Sequence, residues 1–298
     1  MKLKDSARKL ENVQGILSIL PVILIILIIR GYPLITAFIK SFTNWDGMLK
    51  NDFVGLSNYI NILRGNEFWL MLRNNLVLLT FIPLQLFVGI IVAVLLYEEV
   101  FGWKFFRSLY YMPQVISTVV IGYLFTVFFG YEGPLNQILK AVGLDFLAVE
   151  WLGNGWTALL VIVFCLVWVN IGWQGILILG GMASISPSIF DAAKIDGAGY
   201  WQRLLRIILP MLTRVIEYSC ITSVIWTFTG LFPFIYTMTN GGPGYETTTI
   251  DYLIYLKAFV TGTQLGSASA VAVILLIIIL IFTKIQMKMA DRADDWSE

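Results

Sequence analysis

The sequence contains no histidine and only two cysteines, and charged residues fill just 13% of its 298 positions. Without histidine or a cysteine cluster there is no donor set for a zinc site, and a Ser-His-Asp triad cannot be assembled. Cys165 and Cys220 each lie in an apolar stretch, which suits small core residues rather than a disulfide. No G-x-x-x-x-G-K followed by Ser or Thr occurs, so the chain has no phosphate-cradling P-loop, and any ATP it uses must be hydrolysed by a partner. A soluble domain carries about a quarter charged residues, so 13% excludes an ordinary soluble fold. The formal net charge of +1 gives no support for nucleic-acid binding.

What the chain has in abundance is apolar length. Hydrophobic residues make up 58% and mean hydropathy is +0.81. Six windows, about 14–38, 70–97, 108–129, 157–180, 215–237 and 266–286, match the roughly 17–25 apolar residues a bilayer-spanning helix needs. The expectation is an all-α polytopic membrane protein with six transmembrane helices. The first apolar run is too long for a signal-peptide core and is treated as a retained helix. Arg30 lies inside it, either snorkelling to the interface or pairing within a bundle. Pro83 and Gln85 interrupt the second window, tolerable where neighbouring helices satisfy the freed polar groups. If the N-terminus is cytoplasmic, thirteen Lys and Arg fall in inner segments and six in outer ones. That excess places both termini in the cytoplasm. The division expected is a cytoplasmic segment 1–13, a membrane domain 14–287 and a cytoplasmic tail 288–298.

Residues 186–210 form the longest charge-bearing amphipathic stretch between two lipophilic ones. Ser186 can act as an N-cap with Pro187 at the first helical position. Ile189, Phe190 and Ala193 share a helical face, and Asp196-Gly197 offers a break. A second short helix is expected through Trp201, Leu204, Leu205 and Ile208, interrupted at Pro210. By the charge count the segment faces the cytoplasm, where a helix-turn-helix with an apolar stripe suits contact with another protein. An amphipathic element resting on the bilayer is the plainer alternative.

Polar side chains inside the spans are costly unless they meet each other, a cavity or a substrate. Asn170 and Gln174 lie one turn apart with Trp173 beside them, and Ser223, Trp226, Thr227 and Gly230 follow one stripe. Indole faces next to amides and hydroxyls suit a neutral, hydroxyl-rich solute such as a sugar; ordinary interhelical packing is the alternative. No buried carboxylate pair occurs in the spans, which weighs against proton or sodium coupling, and nothing resembles a channel filter.

Asp191-Ala-Ala-Lys-Ile-Asp-Gly-Ala198, closed by Pro210, resembles the EAA motif of ABC-importer permeases. Phe53-Val-Gly-Leu-Ser-Asn-Tyr59, Pro83-Leu-Gln85, Phe106-Arg-Ser-Leu-Tyr-Tyr-Met-Pro113 and Thr239-Asn-Gly-Gly-Pro243 extend the likeness over about 14–287. The combination is similar to the maltose-F-like and glycerol-phosphate-A-like subunits of carbohydrate uptake systems. The resemblance implies a type I importer permease with no catalytic or metal-binding residues and no cofactor on this chain, ATP and magnesium being bound by the partner ATPase. It implies a second homologous permease, two ATPase subunits, an extracytoplasmic solute-binding protein and a sugar substrate, in a bacterial-type cytoplasmic membrane. Carried over, Asp191, Ala192, Ala193, Asp196, Gly197 and Ala198 are the ATPase-coupling positions. The helices flanking that segment line the solute path in the family, in agreement with Asn170, Trp173, Gln174, Ser223, Trp226, Thr227 and Gly230. The chain departs from the family pattern in having Asp191 where Glu is usual, Leu204 where Phe is usual and Arg214 where a second Pro is common. Glycerol phosphate or another non-sugar cargo, and a stand-alone secondary transporter, are the competing functions.

Overall fold

The computed structural model describes residues 16–295. The expected cytoplasmic segment 1–13 lies outside the described residues, as does the end of the expected tail, 296–298. Among the described residues the chain is helical, and its one extended pairing is the isolated bridge between Thr43 and Phe53. The helices are α1 (Ile16–Lys40), α2 (Ser57–Arg64), α3 (Asn66–Leu78), α4 (Phe81–Tyr97), α5 (Trp103–Val115), α6 (Thr118–Phe128) and α7 (Pro134–Ala141). They continue with α8 (Gly155–Ala183), α9 (Pro187–Ile195), α10 (Tyr200–Arg203), α11 (Thr213–Thr229), α12 (Phe232–Met238), α13 (Ile250–Tyr255) and α14 (Leu265–Asp295). The segment expected as a tail from 288 is thus helical as far as Asp295.

Four helices are long and apolar enough to cross a bilayer unbroken: α1, α3 with α4 as one run of 32 residues, α8, and the Leu265–Met289 part of α14. Two further spans are bent pairs. α5 and α6 meet at 101°, and α11 and α12 at 50°. The first bend corrects the expectation of one continuous helix over 108–129. Pro113 removes an N–H from the last turn of α5, Ile116 turns extended, and Ser117 starts α6 afresh. The second falls at Gly230-Leu231, where α12 restarts with Pro233 in its first turn.

The chain divides into two compact units. The smaller comprises Met1–Arg64 with Ile254–Ile274. Within it the motif ending in Asn58-Tyr59 is a local clamp. The Asn58 amide donates to the carbonyls of Ser41 and Thr43 at 2.8 Å each, and the Tyr59 and Ser41 hydroxyls lie 2.6 Å apart. Arg30 sits exposed in a π-helical turn of α1, Leu27–Gly31.

The larger unit comprises Gly65–Leu253 with Leu275–Glu298. Its centre is α4 laid along α8. Ala93 and Val94 pack there with Ile178 and Met182, all nearly or fully buried. Because lipid tails are as apolar as these side chains, close packing and interhelical hydrogen bonds hold such a pair together rather than release of water. Gly89 makes the approach possible: a Cβ there would come within 2.6 Å of Gln174 Cγ. Gln114 at the end of α5 donates to the Val169 carbonyl at 2.7 Å and fastens α5 to the same helix. Cys165 and Cys220 are free thiols, the first buried.

Candidate functional site

The helix-break-helix forms where the sequence pattern put it. Ser186 occupies the N-cap position and Pro187 the first turn of α9, although the Ser186 hydroxyl pairs with that of Ser188 at 2.8 Å instead of capping an N–H. At the far end the Ala198 N–H bonds the Ala193 carbonyl (2.9 Å) and the Gly197 N–H bonds that of Lys194 (3.1 Å). This is a Schellman closure, and Gly197 takes the left-handed φ of +74° that it requires. α10 then begins at Tyr200 and runs through a π turn, Leu204–Ile208, into a last turn at Leu209–Met211. The π turn alters the expected stripe. Leu204 and Ile208 point inward, whereas Trp201 and Leu205 are exposed.

This element is bonded to the bundle through one continuous apolar cluster. Phe190, Leu204, Ile208 and Leu212 pack with Val94 at the end of α4 and with Ile178 and Met182 at the end of α8. Phe190 also lies against Tyr97, ring centroids 5.1 Å apart. A cavity of about 520 Å³ remains between them, with Glu98, Glu99, Lys194 and Arg203 among its lining, and Arg203 reaches Glu98 at 3.3 Å. Of the six expected coupling positions, Asp191, Ala192, Asp196 and Gly197 are exposed together, and Ala198 is half-buried. Ala193 is 6% exposed and packs inward, so it supports the segment from beneath.

The seven polar-stripe positions divide in a similar way. Trp173 is 49% exposed and lines an open groove of about 490 Å³ with Leu177, Gly181, Arg214, Val215 and Tyr218. Trp226 is half-buried, edge-on to Phe81 and Phe234. Gly230 sits against its indole: a Cβ there would lie 2.6 Å from Trp226 Nε1. Asn170 turns its amide back to the Leu166 carbonyl of its own helix at 2.8 Å. Thr227 is fully buried and its hydroxyl donates to the Ser223 carbonyl at 2.8 Å. Gln174 is 1% exposed and accepts from the Ser219 hydroxyl at 2.6 Å, while Gln85 donates to Ser223 Oγ at 2.8 Å. Trp173 therefore opens to a groove, and Gln174 and Thr227 belong to the interior.

Sequence reasoning missed a set of anchors around the start of α8. Asn74 and Asn75, both fully buried, hold the loop that follows α12. Asn74 donates to the carbonyls of Tyr245 and Thr248 at 3.0 and 2.9 Å and accepts from Arg73 at 3.1 Å. Asn75 donates to the Thr227 carbonyl at 3.0 Å and accepts from the Ile250 N–H at 2.9 Å. Glu246 accepts from the Gly155 N–H at 3.1 Å, and Arg73 lies over the Trp156 ring at 5.1 Å, so the start of α8 is fixed too. Asp251 accepts from the N–H of Phe232 at 2.8 Å and from the Thr249 hydroxyl at 2.5 Å. Burial raises its pKa, against the lowering effect of those bonds. The signal available was the doubled asparagine before an apolar run and the Thr247-Thr248-Thr249 triplet, all three threonines being buried at 1% exposure or less.

Spanning helices, two of them broken, and a helix-glycine-helix element fused to the ends of two spans define a polytopic membrane permease. The chain belongs to the family of binding-protein-dependent transport system inner membrane components, whose model matches residues 85–293. It is 34% identical over 273 residues to the probable ABC transporter permease protein YurN of Bacillus subtilis, covering 89% of this chain and 92% of that one. The multiple sugar-binding transport system permease protein MsmF of Streptococcus mutans is also 34% identical, covering 88% of this chain and 89% of its own. The trehalose/maltose transport system permease protein MalF of Thermococcus litoralis is 30% identical over 97% and 96%. The fold matches that of a bacterial ABC transporter involved in the import of the acidic polysaccharide alginate, with TM-score 0.79, 24% identity, and coverage of 98% and 99%. The protein is a multi-pass inner membrane component of an ABC transport system.

Proposed function

We propose that the chain is one of two permease subunits of an ATP-driven sugar importer, forming half of the solute path and taking its drive from an ATPase through residues 186–210. The observation that carries this is the two-sided coupling segment. Its outer side presents Asp191, Ala192, Asp196 and Gly197, and its inner side is packed into the ends of α4 and α8. A force applied outside is thereby delivered to two spans at once, because packed cores move as rigid bodies. The chain itself is non-catalytic in this proposal, the ATPase subunits supplying hydrolysis and an extracytoplasmic protein delivering solute. Both termini are cytoplasmic, and the membrane domain runs over 14–287. Trp173 and Trp226 offer the indole faces on which a sugar ring stacks, with Asn170, Ser223 and Gly230 beside them. Gln174 and Thr227 shape the path from behind.

An acidic sugar is the second possibility, favoured by Arg214 in the groove beside Trp173. The coupling role is tested with Asp191→Lys in the assembled complex. Reduced retention of the ATPase subunits and loss of ATP-driven uptake are expected, and normal values of both would refute it. The solute role is tested with Trp173→Ala and Trp226→Ala, which should impair uptake while leaving assembly intact. Arg214→Gln separates the cargo classes: it should depress uronate uptake selectively only if the cargo is acidic.

A further inference from the structure

Gln85 and Gln174 differ from the buried asparagines Asn74, Asn75 and Asn136. Asn74 and Asn75 use both ends of their side chains. Asn136 does likewise, donating to the carbonyls of Tyr131 and Val149 and accepting from the Trp151 indole N–H. Gln85 and Gln174 are equally buried, 2% and 1% exposed, yet each uses one end only. Gln85 Nε2 donates to Ser223 Oγ and leaves Oε1 unmatched; Gln174 Oε1 accepts from Ser219 and leaves Nε2 unmatched. One leftover is an acceptor, the other a donor. A buried polar group without a partner costs about 1–3 kcal/mol, so a half-satisfied cluster at the crossing of three helices calls for a reason.

The positions supply one. Ser219 and Ser223 are one turn apart on α11, and each is held by a glutamine from a different helix. Those two helices, α4 and α8, are locked to each other where Gln174 crosses Gly89 and where a Cβ on Gly175 would lie 3.1 Å from Val92. α11 is thus clipped to a rigid pair by two hydrogen bonds. A second arrangement is chemically at hand: Gln174 Nε2 donates to Gln85 Oε1, and the serines turn to carbonyls one turn back on their own helix, as serine readily does. That arrangement leaves Gln85 Nε2 and Gln174 Oε1 unmatched where the present one leaves Gln85 Oε1 and Gln174 Nε2, two buried amide groups in each case, so neither arrangement dominates. The coupling segment lies in the chain between α8 and α11, so its displacement acts on the two helices that the Gln174–Ser219 bond joins.

We propose that Gln85, Gln174, Ser219 and Ser223 form a clasp that holds α11 on the α4–α8 pair in this state and opens when the coupling segment moves. This rests on the transport function proposed above and makes Gln85 and Gln174 positioning residues for it. The clasp keeps the resting transporter from cycling until the coupling segment is driven.

The test uses the complete complex with its ATPase subunits in proteoliposomes. Two variants remove the clasp from opposite sides: Gln85→Leu with Gln174→Leu, and Ser219→Ala with Ser223→Ala. ATP hydrolysis without the solute-binding protein is measured first, then solute taken up per ATP. Hydrolysis should rise about tenfold in both variants, within the range of a single coupling free energy, and solute per ATP should fall. Ser219→Thr with Ser223→Thr keeps both hydroxyls and should hydrolyse ATP more slowly than Ser219→Ala with Ser223→Ala in the absence of the solute-binding protein. Parental hydrolysis in both assembled variants would overturn the clasp. Failure of both to assemble would make the cluster a structural clip and overturn it as well. A parental complex that hydrolyses ATP but takes up no sugar would overturn the proposed cargo instead, and the hydrolysis rates would still report on the clasp.

Discussion

Gly197 allows the coupling proposal to be graded. Its φ is +74°, and a Cβ at this site would meet nothing within 4 Å. Substitution therefore carries a backbone cost with no steric contribution. For an L-residue with a Cβ that cost is about 1–2 kcal/mol, or about 5- to 30-fold in the population of the closed Schellman turn. Asparagine tolerates the left-handed region better than alanine does. Proline cannot reach it, and it also removes the N–H that bonds the Lys194 carbonyl. The expected order of ATP-driven uptake is Gly, then Asn, then Ala, with Pro inactive. Rates are measured in proteoliposomes and normalised to assembled complex, with stimulated ATP hydrolysis read in parallel. Alanine matching glycine within about twofold, where the backbone cost demands more, would show that the turn does not transmit force. A proline variant that still couples would sink the mechanism altogether.

Three further expectations concern stability and the anchors around the start of α8. Asn75→Leu keeps the volume but strands the Ile250 N–H and the Thr227 carbonyl, both joined to Asn75. At about 1–3 kcal/mol per group, a loss of about 2–6 kcal/mol should appear in denaturant unfolding of the detergent-solubilised chain. Asp251 titrates in the direction opposite to an ion-paired acid. Its pKa is raised by burial, so the folded state binds the proton more tightly than the unfolded state. Its contribution is fullest below the unfolded value and is lost as pH rises through the folded one. Unfolding measured across that window against Asp251→Asn, which does not titrate, should show the wild-type advantage shrinking as pH rises, and a growing advantage would contradict the burial argument. Arg203→Gln should cost no more than about 1 kcal/mol, as partly exposed ion pairs do, because its partner Glu98 is 37% exposed.

Much of this molecule is legible in its sequence because bilayer length is a strong constraint. The spans over 157–180 and 266–286 fall inside α8 and α14. The turn at Gly197 was readable because few residues other than glycine close a helix that way. The bend at Ile116-Ser117 was not. Pro113, Ser117 and Thr118 mark it in the sequence, but hydropathy averaged over a span counts length without sensing direction. The assignment of faces also failed in places. α8 is apolar nearly all round, so nothing in its periodicity separates Gln174, which is interior, from Trp173, which faces a groove. Ala193 and Thr227 share faces with functional candidates yet point into the packing, since one helical stripe is wide enough to have a buried edge and an open one. Asn74 and Asn75 were overlooked because their partners are backbone groups more than 150 residues away in the chain, which no local pattern encodes.

The fixed start of α8 sets the geometry of any movement. With Gly155 held by Glu246 and Trp156 under Arg73, the first turn of this 29-residue helix acts as a fulcrum. At 1.5 Å per residue the arm is about 43 Å long. A displacement of about 3 Å at its C-terminal end is then a tilt of only about 4°. Gln174 stands about two-thirds of the way along that arm and would travel about 2 Å. That is enough to carry a hydrogen bond beyond its working range, while near the fulcrum the asparagine-held loop hardly stirs.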